Sequence, residues 1–168
     1  VVGGGGYCGS VVVPQLLASG WKVTVFDILR WYGSDHLPQS NPNLRIIEGD
    51  VRDTALVASA CQGQDALLHL ACISNDASFE LDEKLSTSVN LDSFEPVVIA
   101  AKAAGVKRFV FASSSSVYGV SDSPDVTEDH PLVPLTLYNK YKGMCEPLLL
   151  KHTDDKFVGV IFRPATVC

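Results

Sequence analysis

Tyr138 and Lys142 stand four residues apart in the stretch YNKYK, a spacing that puts both side chains on one face of a helix. On such a face an ammonium group favours the tyrosinate form of its neighbour by Coulomb attraction. The phenolic oxygen can then exchange a proton with a carbinol. Tyr141 lies roughly 300 degrees around the helix from Tyr138, and Lys140 about 200 degrees, at about 3.6 residues per turn. Angle alone leaves Tyr141 open as a candidate. What it lacks is a lysine four residues further on, where Cys145 stands.

Upstream, ASSSSVYG sets Ser113, Ser114, Ser115 and Ser116 at the end of the apolar run VKRFVFA. One or two of these hydroxyls can hydrogen-bond a substrate hydroxyl or carbonyl, and the rest suit a turn that satisfies its own backbone. Near the amino end, VVGGGGYCGS holds Gly3, Gly6 and Gly9 in G-x-x-G-x-x-G spacing, and Gly4, Gly6 and Gly9 in G-x-G-x-x-G spacing. Between a strand and a helix, such glycines allow a tight turn and let backbone N–H groups reach a pyrophosphate.

The next strand, WKVTVFD, ends in Asp27. A carboxylate there accepts hydrogen bonds from the adenosine ribose hydroxyls of NAD and repels the 2′-phosphate of NADP. Arg30, three residues on, would tolerate a phosphate, so the sequence favours NAD without barring NADP. Asp50, in EGDV, closes the third strand. Its carboxylate either meets the adenine amine, with Val51 packed on the ring, or caps the following helix. Ala71, Cys72 and Ile73 end the fourth strand with small or apolar residues where a nicotinamide ribose can pass closely.

The elements that must position these residues alternate along the chain. A helix over SVVVPQLLASG stops at Gly20, with Pro14 in its first half, where a proline costs least if near the first turn. Strands are expected over residues 21–27, 44–49, 65–71, 106–114 and 157–162, and a helical segment begins at Asp53. Another helix spans about Ser86 to Ala104 with a kink or local break at Pro96, residues 121–134 form a long loop, and a helix runs from about Leu137 to His152. Strand 65–71 is continuously apolar, as expected where helices cover both faces of a parallel sheet. The alternation predicts a doubly wound α/β domain.

A length of 168 residues fits one domain. The formal charge of −6 gives no broad basic surface for a nucleic acid. Cys8, Cys61, Cys72, Cys145 and Cys168 are odd in number and form no CxxC pair, which reads as reduced thiols in a cytoplasmic protein. The histidines lack ligand spacing, so no metal is expected. No run of about 18 apolar residues suggests a membrane span. Val1 and Val2 stand directly against the glycines and FVGVIFRPATVC ends inside a loop, so both ends read as cut.

GGGGYCGS, FDI, EGDV, LLHLA, SVN around Asn90, ASSSSVYG, YNKYK and IFRPATV occur in this order. In that order they resemble the extended short-chain dehydrogenase/reductases, in the NAD-dependent epimerase/dehydratase group acting on nucleotide sugars. The resemblance implies a Rossmann-type NAD-binding domain over residues 1–168, lacking most of a carboxyl-terminal substrate domain. By it Gly3, Gly6, Tyr7 and Gly9 bind the pyrophosphate region, Asp27 the adenosine ribose, Asp50 and Val51 the adenine, and Ala71 and Lys142 the nicotinamide side. Ser114, Tyr138 and Lys142 become the catalytic set, Ser114 because it stands three residues before the valine of VYG. Asn90 becomes a supporting helix residue. Members that dehydrate carry Asp-Glu immediately after the catalytic hydroxyl, where this chain has Ser115 and Ser116, so C4 epimerisation or net alcohol/ketone redox is implied. A homodimer is implied for the full-length protein. Tyr141 takes a place that is usually small, and either narrows the pocket or packs outward.

Overall fold

The computed structural model describes residues 1–165. Thr166, Val167 and Cys168, and with them the end of the IFRPATV motif and the fifth thiol, lie outside the described residues.

The apolar runs form parallel strands β1 (Val23–Asp27), β2 (Leu44–Glu48), β3 (Ala66–His69), β4 (Arg108–Ala112) and β5 (Val158–Phe162). β1 pairs with β2, β3 with β4, and β4 with β5, all in parallel. Val2 joins the two groups by bridging to Phe26 on one side and His69 on the other. Its N–H donates to the Leu68 carbonyl at 2.9 Å, and the Gly3 N–H donates to the Phe26 carbonyl at 2.8 Å. The spatial order is therefore β2, β1, Val2, β3, β4, β5. From Val2 the chain runs first to one side and then returns to the other, so the crevice above Val2 is the switch point where ligands of such sheets bind. The architecture is a doubly wound, Rossmann-type parallel sheet. β3 is shorter than the apolar run suggests because the Leu70 and Ala71 N–H groups both turn onto the Val2 carbonyl, at 2.8 and 3.0 Å.

Helix α1 (Tyr7–Ala18) starts directly after Gly6, so Pro14 falls in its second half instead of its first. α2 (Thr54–Cys61) is capped by Asp53, whose Oδ1 accepts the Leu56 N–H at 3.0 Å. Two short helices, α3 (Asp76–Leu81) and α4 (Glu83–Thr87), lead into the range 86–104 where one helix was expected, and a π-helical turn Ser88–Asp92 separates them from α5 (Phe94–Ala103). The break precedes Pro96. Proline fits the first turn of α5, where its missing N–H has no acceptor to lose, but its ring excludes the ordinary turn before it. The wider turn absorbs the conflict: the Ser93 N–H reaches back to the Ser88 carbonyl at 3.2 Å. α6 (Leu137–Leu150) begins where Thr136 caps it, with Oγ1 accepting the Asn139 N–H at 3.3 Å.

Adjacent strand residues feed opposite cores. Val25 packs with Val13 and Leu17 of α1, whereas Phe26 joins Phe109, Phe111 and the inner faces of α2, α5 and α6. The cover expected on both faces of the central strands is incomplete at the β5 edge, where Val158, Val160 and Phe162 are 38–41% exposed. Among the described residues no helix is long and apolar enough to cross a membrane.

His69 is buried at the end of β3 between Phe94, Phe109 and Phe111, with ring centres 5.3 to 6.0 Å away. Among the described residues neither ring nitrogen has a hydrogen-bond partner. Burial, helped by the Lys142 ammonium, lowers its pKa to about 3. Below about 6.5 the unfolded chain therefore binds a proton that the folded chain refuses. Stability should fall as pH drops from about 6.5 toward about 3, by at most about 1.4 kcal/mol per pH unit from this residue. Urea unfolding of His69→Leu across that range should show a shallower loss than the parent, and equal slopes would refute the assignment.

Candidate active site

The glycine turn is built on two hard constraints. Gly3 has φ +82°, and a Cβ there would overlap the Ala71 backbone; a Cβ at Gly9 would overlap the Gly4 carbonyl. Gly6 differs. A Cβ at Gly6 would meet nothing closer than the Gly3 carbonyl oxygen at 3.5 Å, so the fold itself does not demand glycine there. Gly6 caps α1 without a side-chain bond, and the first turn of α1 has no acidic residue, so its N–H groups receive no acceptor from a cap or from a carboxylate of that turn. A bare backbone beside a helix amino terminus fits a diphosphate. Tyr7, in this first turn, is 59% exposed.

These differences predict a split between two alanine variants. Gly9→Ala should destabilise the fold by about 1–3 kcal/mol through overpacking. Gly6→Ala should leave the melting temperature unchanged while weakening dinucleotide binding about tenfold. Thermal melts and cofactor titrations read the two effects separately.

Asp27 is held in place by its own loop. Its Oδ2 accepts the Gly5 N–H and its Oδ1 the Leu29 N–H, each at 2.9 Å. Both oxygens keep a further lone pair for a ribose hydroxyl. The Arg30 guanidinium sits over the Trp31 ring, 5.5 Å from its centre. Asp50 is tied to Arg52, whose Nη2 donates to Oδ2 at 2.6 Å and whose backbone N–H donates to Oδ1 at 2.9 Å. These bonds hold the Asp50 carboxyl below the usual carboxylate range. The helix cap is Asp53, not Asp50. Val51 is buried in the main core. Ala71 is half-buried, with its backbone against Gly3.

Along α6, Tyr138, Lys142 and Glu146 recur every four residues, and the last two bind the helix to the exit of β4. Lys142 is buried, and its Nζ donates to the Ala112 carbonyl at 2.8 Å. One turn on, Glu146 Oε1 accepts from the Ser113 hydroxyl at 2.6 Å. Two consecutive residues of the strand exit are thereby fixed, and Ser114 follows them directly in the chain. Ser114 caps the short 3₁₀ turn Ser115–Tyr118; its Oγ accepts the Ser116 N–H at 3.1 Å and donates to Ser116 Oγ at 2.9 Å. Asn90, on the π-helical turn, clasps Ile73 by accepting its N–H at 2.8 Å and donating to its carbonyl at 2.9 Å.

In the protein alone, the Tyr138 shift runs opposite to the one expected from Lys142. Burial pushes the Tyr138 phenol above its usual range, and Cys72, Asp76 and Cys8 add to the effect. Lys142 Nζ lies 5.9 Å from the centre of the Tyr138 ring and 5.1 Å from that of Phe111, anchored on Ala112. A protonated tyrosine is an acid that can give a proton to a carbonyl. To act as a base it needs added positive charge nearby.

Tyr141 turns away from this face. Its ring meets Phe79 edge-on at 5.4 Å and thereby joins α6 to α3. Three residues escaped the sequence reading. Glu146 continues the i,i+4 stripe and could have been read from spacing. Arg163 could not: it donates to Glu146 Oε1 at 3.0 Å through Nε and to Oε2 at 2.7 Å through Nη2, and reaches the Tyr118 hydroxyl at 2.7 Å. Asp76, beside Tyr138, lies in a segment with no long periodicity.

The model of the "NAD dependent epimerase/dehydratase family" matches residues 1–168. A UDP-glucose 4-epimerase of Lactobacillus helveticus is 32% identical over 151 residues, covering 89% of this chain and 45% of that protein. Among solved structures, a double mutant of the dTDP-glucose 4,6-dehydratase DesIV from Streptomyces venezuelae, with NAD and DAU bound, superposes with a TM-score of 0.88. It is 32% identical over 96% of this chain and 53% of its own. A UDP-N-acetylglucosamine 4-epimerase from Methanobrevibacter ruminantium also gives 0.88, at 28% identity, over 96% of this chain and 52% of that one. The chain spans about half the length of these relatives.

Proposed function

We propose that this chain, which belongs to the NAD dependent epimerase/dehydratase family, is the NAD-binding and catalytic domain, over residues 1–168, of a nucleotide-sugar 4-epimerase. The observation that carries the reading is the face of α6 shared by Tyr138 and Lys142, on which Lys142 donates to the Ala112 carbonyl and Glu146 accepts from Ser113 at the exit of β4. The relatives' UDP- and dTDP-sugar chemistry supports the substrate class.

Gly6 and the first turn of α1 hold the pyrophosphate, Asp27 holds the adenosine ribose, and Asp50 and the Val51 backbone border the adenine. Only one of the three Lys142 ammonium donors is used by a described residue, which leaves two for the nicotinamide ribose. When bound, NAD would supply hydride acceptance and return and the positive charge of its nicotinamide. Tyr138 takes the proton from the sugar C4 hydroxyl and, once the 4-keto sugar has turned to present its other face to the returning hydride, gives the proton back to the C4 oxygen. Ser114 positions that oxygen. Ser115 and Ser116 offer no carboxylate to remove a neighbouring proton, which favours epimerisation over loss of water. The exposed Ile99 of α5 and Met144 of α6 support a homodimer of the whole protein.

The test is incubation of the full-length protein with a panel of nucleotide sugars, following NADH formation and the configuration at C4. Inversion without net NADH is the expected result. Stoichiometric change of the cofactor would replace this reading with a dehydrogenase or reductase.

A further inference from the structure

Asp76 opens α3, just beyond the carboxyl end of β3. Its Oδ1 is shielded from solvent and has no hydrogen-bond partner among the described residues. A carboxylate oxygen without a donor costs free energy, and a chain retains one only where something compensates. The carboxylate also lies near enough to Tyr138 to help raise that phenol.

The position of Asp76 is fixed from several sides. Asn90 clasps Ile73 by both of its backbone groups. Asn75 adopts a left-handed φ of 67°, a strained choice for a residue other than glycine, while its Oδ1 accepts the Ser78 N–H at 2.9 Å. On the far side, Phe79 is held by the Ser86 hydroxyl, which donates to its carbonyl at 3.0 Å, and by the Tyr141 ring. Tyr141 stands one turn from Tyr138 on the same helix. The segment carrying Asp76 and the helix carrying Tyr138 are thus one assembly.

We propose that Asp76 is a substrate-binding residue whose carboxylate accepts a hydrogen bond from a sugar hydroxyl, or pairs with a sugar ammonium, beside the carbinol on which Tyr138 acts. The proposal rests on the nucleotide-sugar reading above. An ionised carboxylate only accepts hydrogen bonds, so its ligand must donate. It therefore selects neutral and amino sugars and repels a sugar carrying a carboxylate at that place. Tyr141 gains a role as well: it acts on specificity by holding α3 rather than by filling the pocket.

The full-length protein loaded with NAD and its Asp76→Asn and Asp76→Ala variants should be compared on the nucleotide sugar that the parent converts. The expected result is a KM raised roughly tenfold or more with a smaller change in kcat. NAD affinity should be unchanged and the melting temperature equal or higher, since an uncompensated carboxylate has been removed. Unchanged KM overturns the assignment, and unchanged KM with a lower melting temperature gives Asp76 a purely structural part. A parent protein that binds and converts no nucleotide sugar overturns the functional reading and this proposal together; a parent that converts one, with variants that match it, overturns this proposal alone.

Discussion

Tyr138→Phe should reduce turnover of the full-length protein by about 10²- to 10⁴-fold, the usual contribution of a positioned acid or base. Only the phenolic oxygen is lost, and the ring that stands 5.9 Å from Lys142 Nζ is retained. Lys142 keeps its bond to the Ala112 carbonyl, so NAD affinity should change little. Because burial holds the phenol above its ordinary pKa, the oxidative half of the reaction should speed up as pH rises through neutrality, when the proton is more easily lost. The variant should lose this rise along with the activity. A variant that kept the parent's rate and pH profile would remove Tyr138 from the chemistry.

Arg163→Met should produce the largest loss of stability. The substitution leaves Glu146, whose side chain is 5% exposed, with the Ser113 hydroxyl as its remaining donor. Removing one partner from a buried ion pair costs about 3–5 kcal/mol, mostly through the charge that stays behind. The same change frees Tyr118 and the Glu128 carbonyl from the guanidinium and loosens the turn that Ser114 caps. Activity should therefore fall with stability. Adding Glu146→Leu should recover part of the lost stability, because the stranded charge is then gone. Urea melts of the parent, the single variants and the double variant form the cycle that checks this. Additive losses would mean that the pair does not act as a unit.

Much of this protein was legible without a structure. The apolar runs and glycine punctuation specify a doubly wound sheet because strands with both faces buried must be apolar throughout. The spacing of Tyr138 and Lys142 specifies a shared helical face because the helical repeat is fixed. The glycine turn, Asp27 and the order of the motifs led to the family that residues 1–168 match.

Other features depended on elements distant in the chain. Periodicity suggested one helix over 86–104 with a kink or break at Pro96, and the tertiary structure decided its form, a π-helical turn at Ser88–Asp92 whose Asn90 clasps Ile73. Spacing brought Lys142 close to Tyr138 in sequence, whereas folding drew its ammonium onto Ala112 and buried the phenol, reversing the expected shift. Tyr141 had two possible directions on the helix, and Phe79 selected one. Arg163 found Glu146 across 17 residues, and Asp76 was brought beside Tyr138 by α3. The sequence by itself determined the periodic features, those set by bond geometry and by which faces avoid water. Only the tertiary structure decided which charge meets which, because pairing and desolvation depend on atoms that the chain brings together only when it folds.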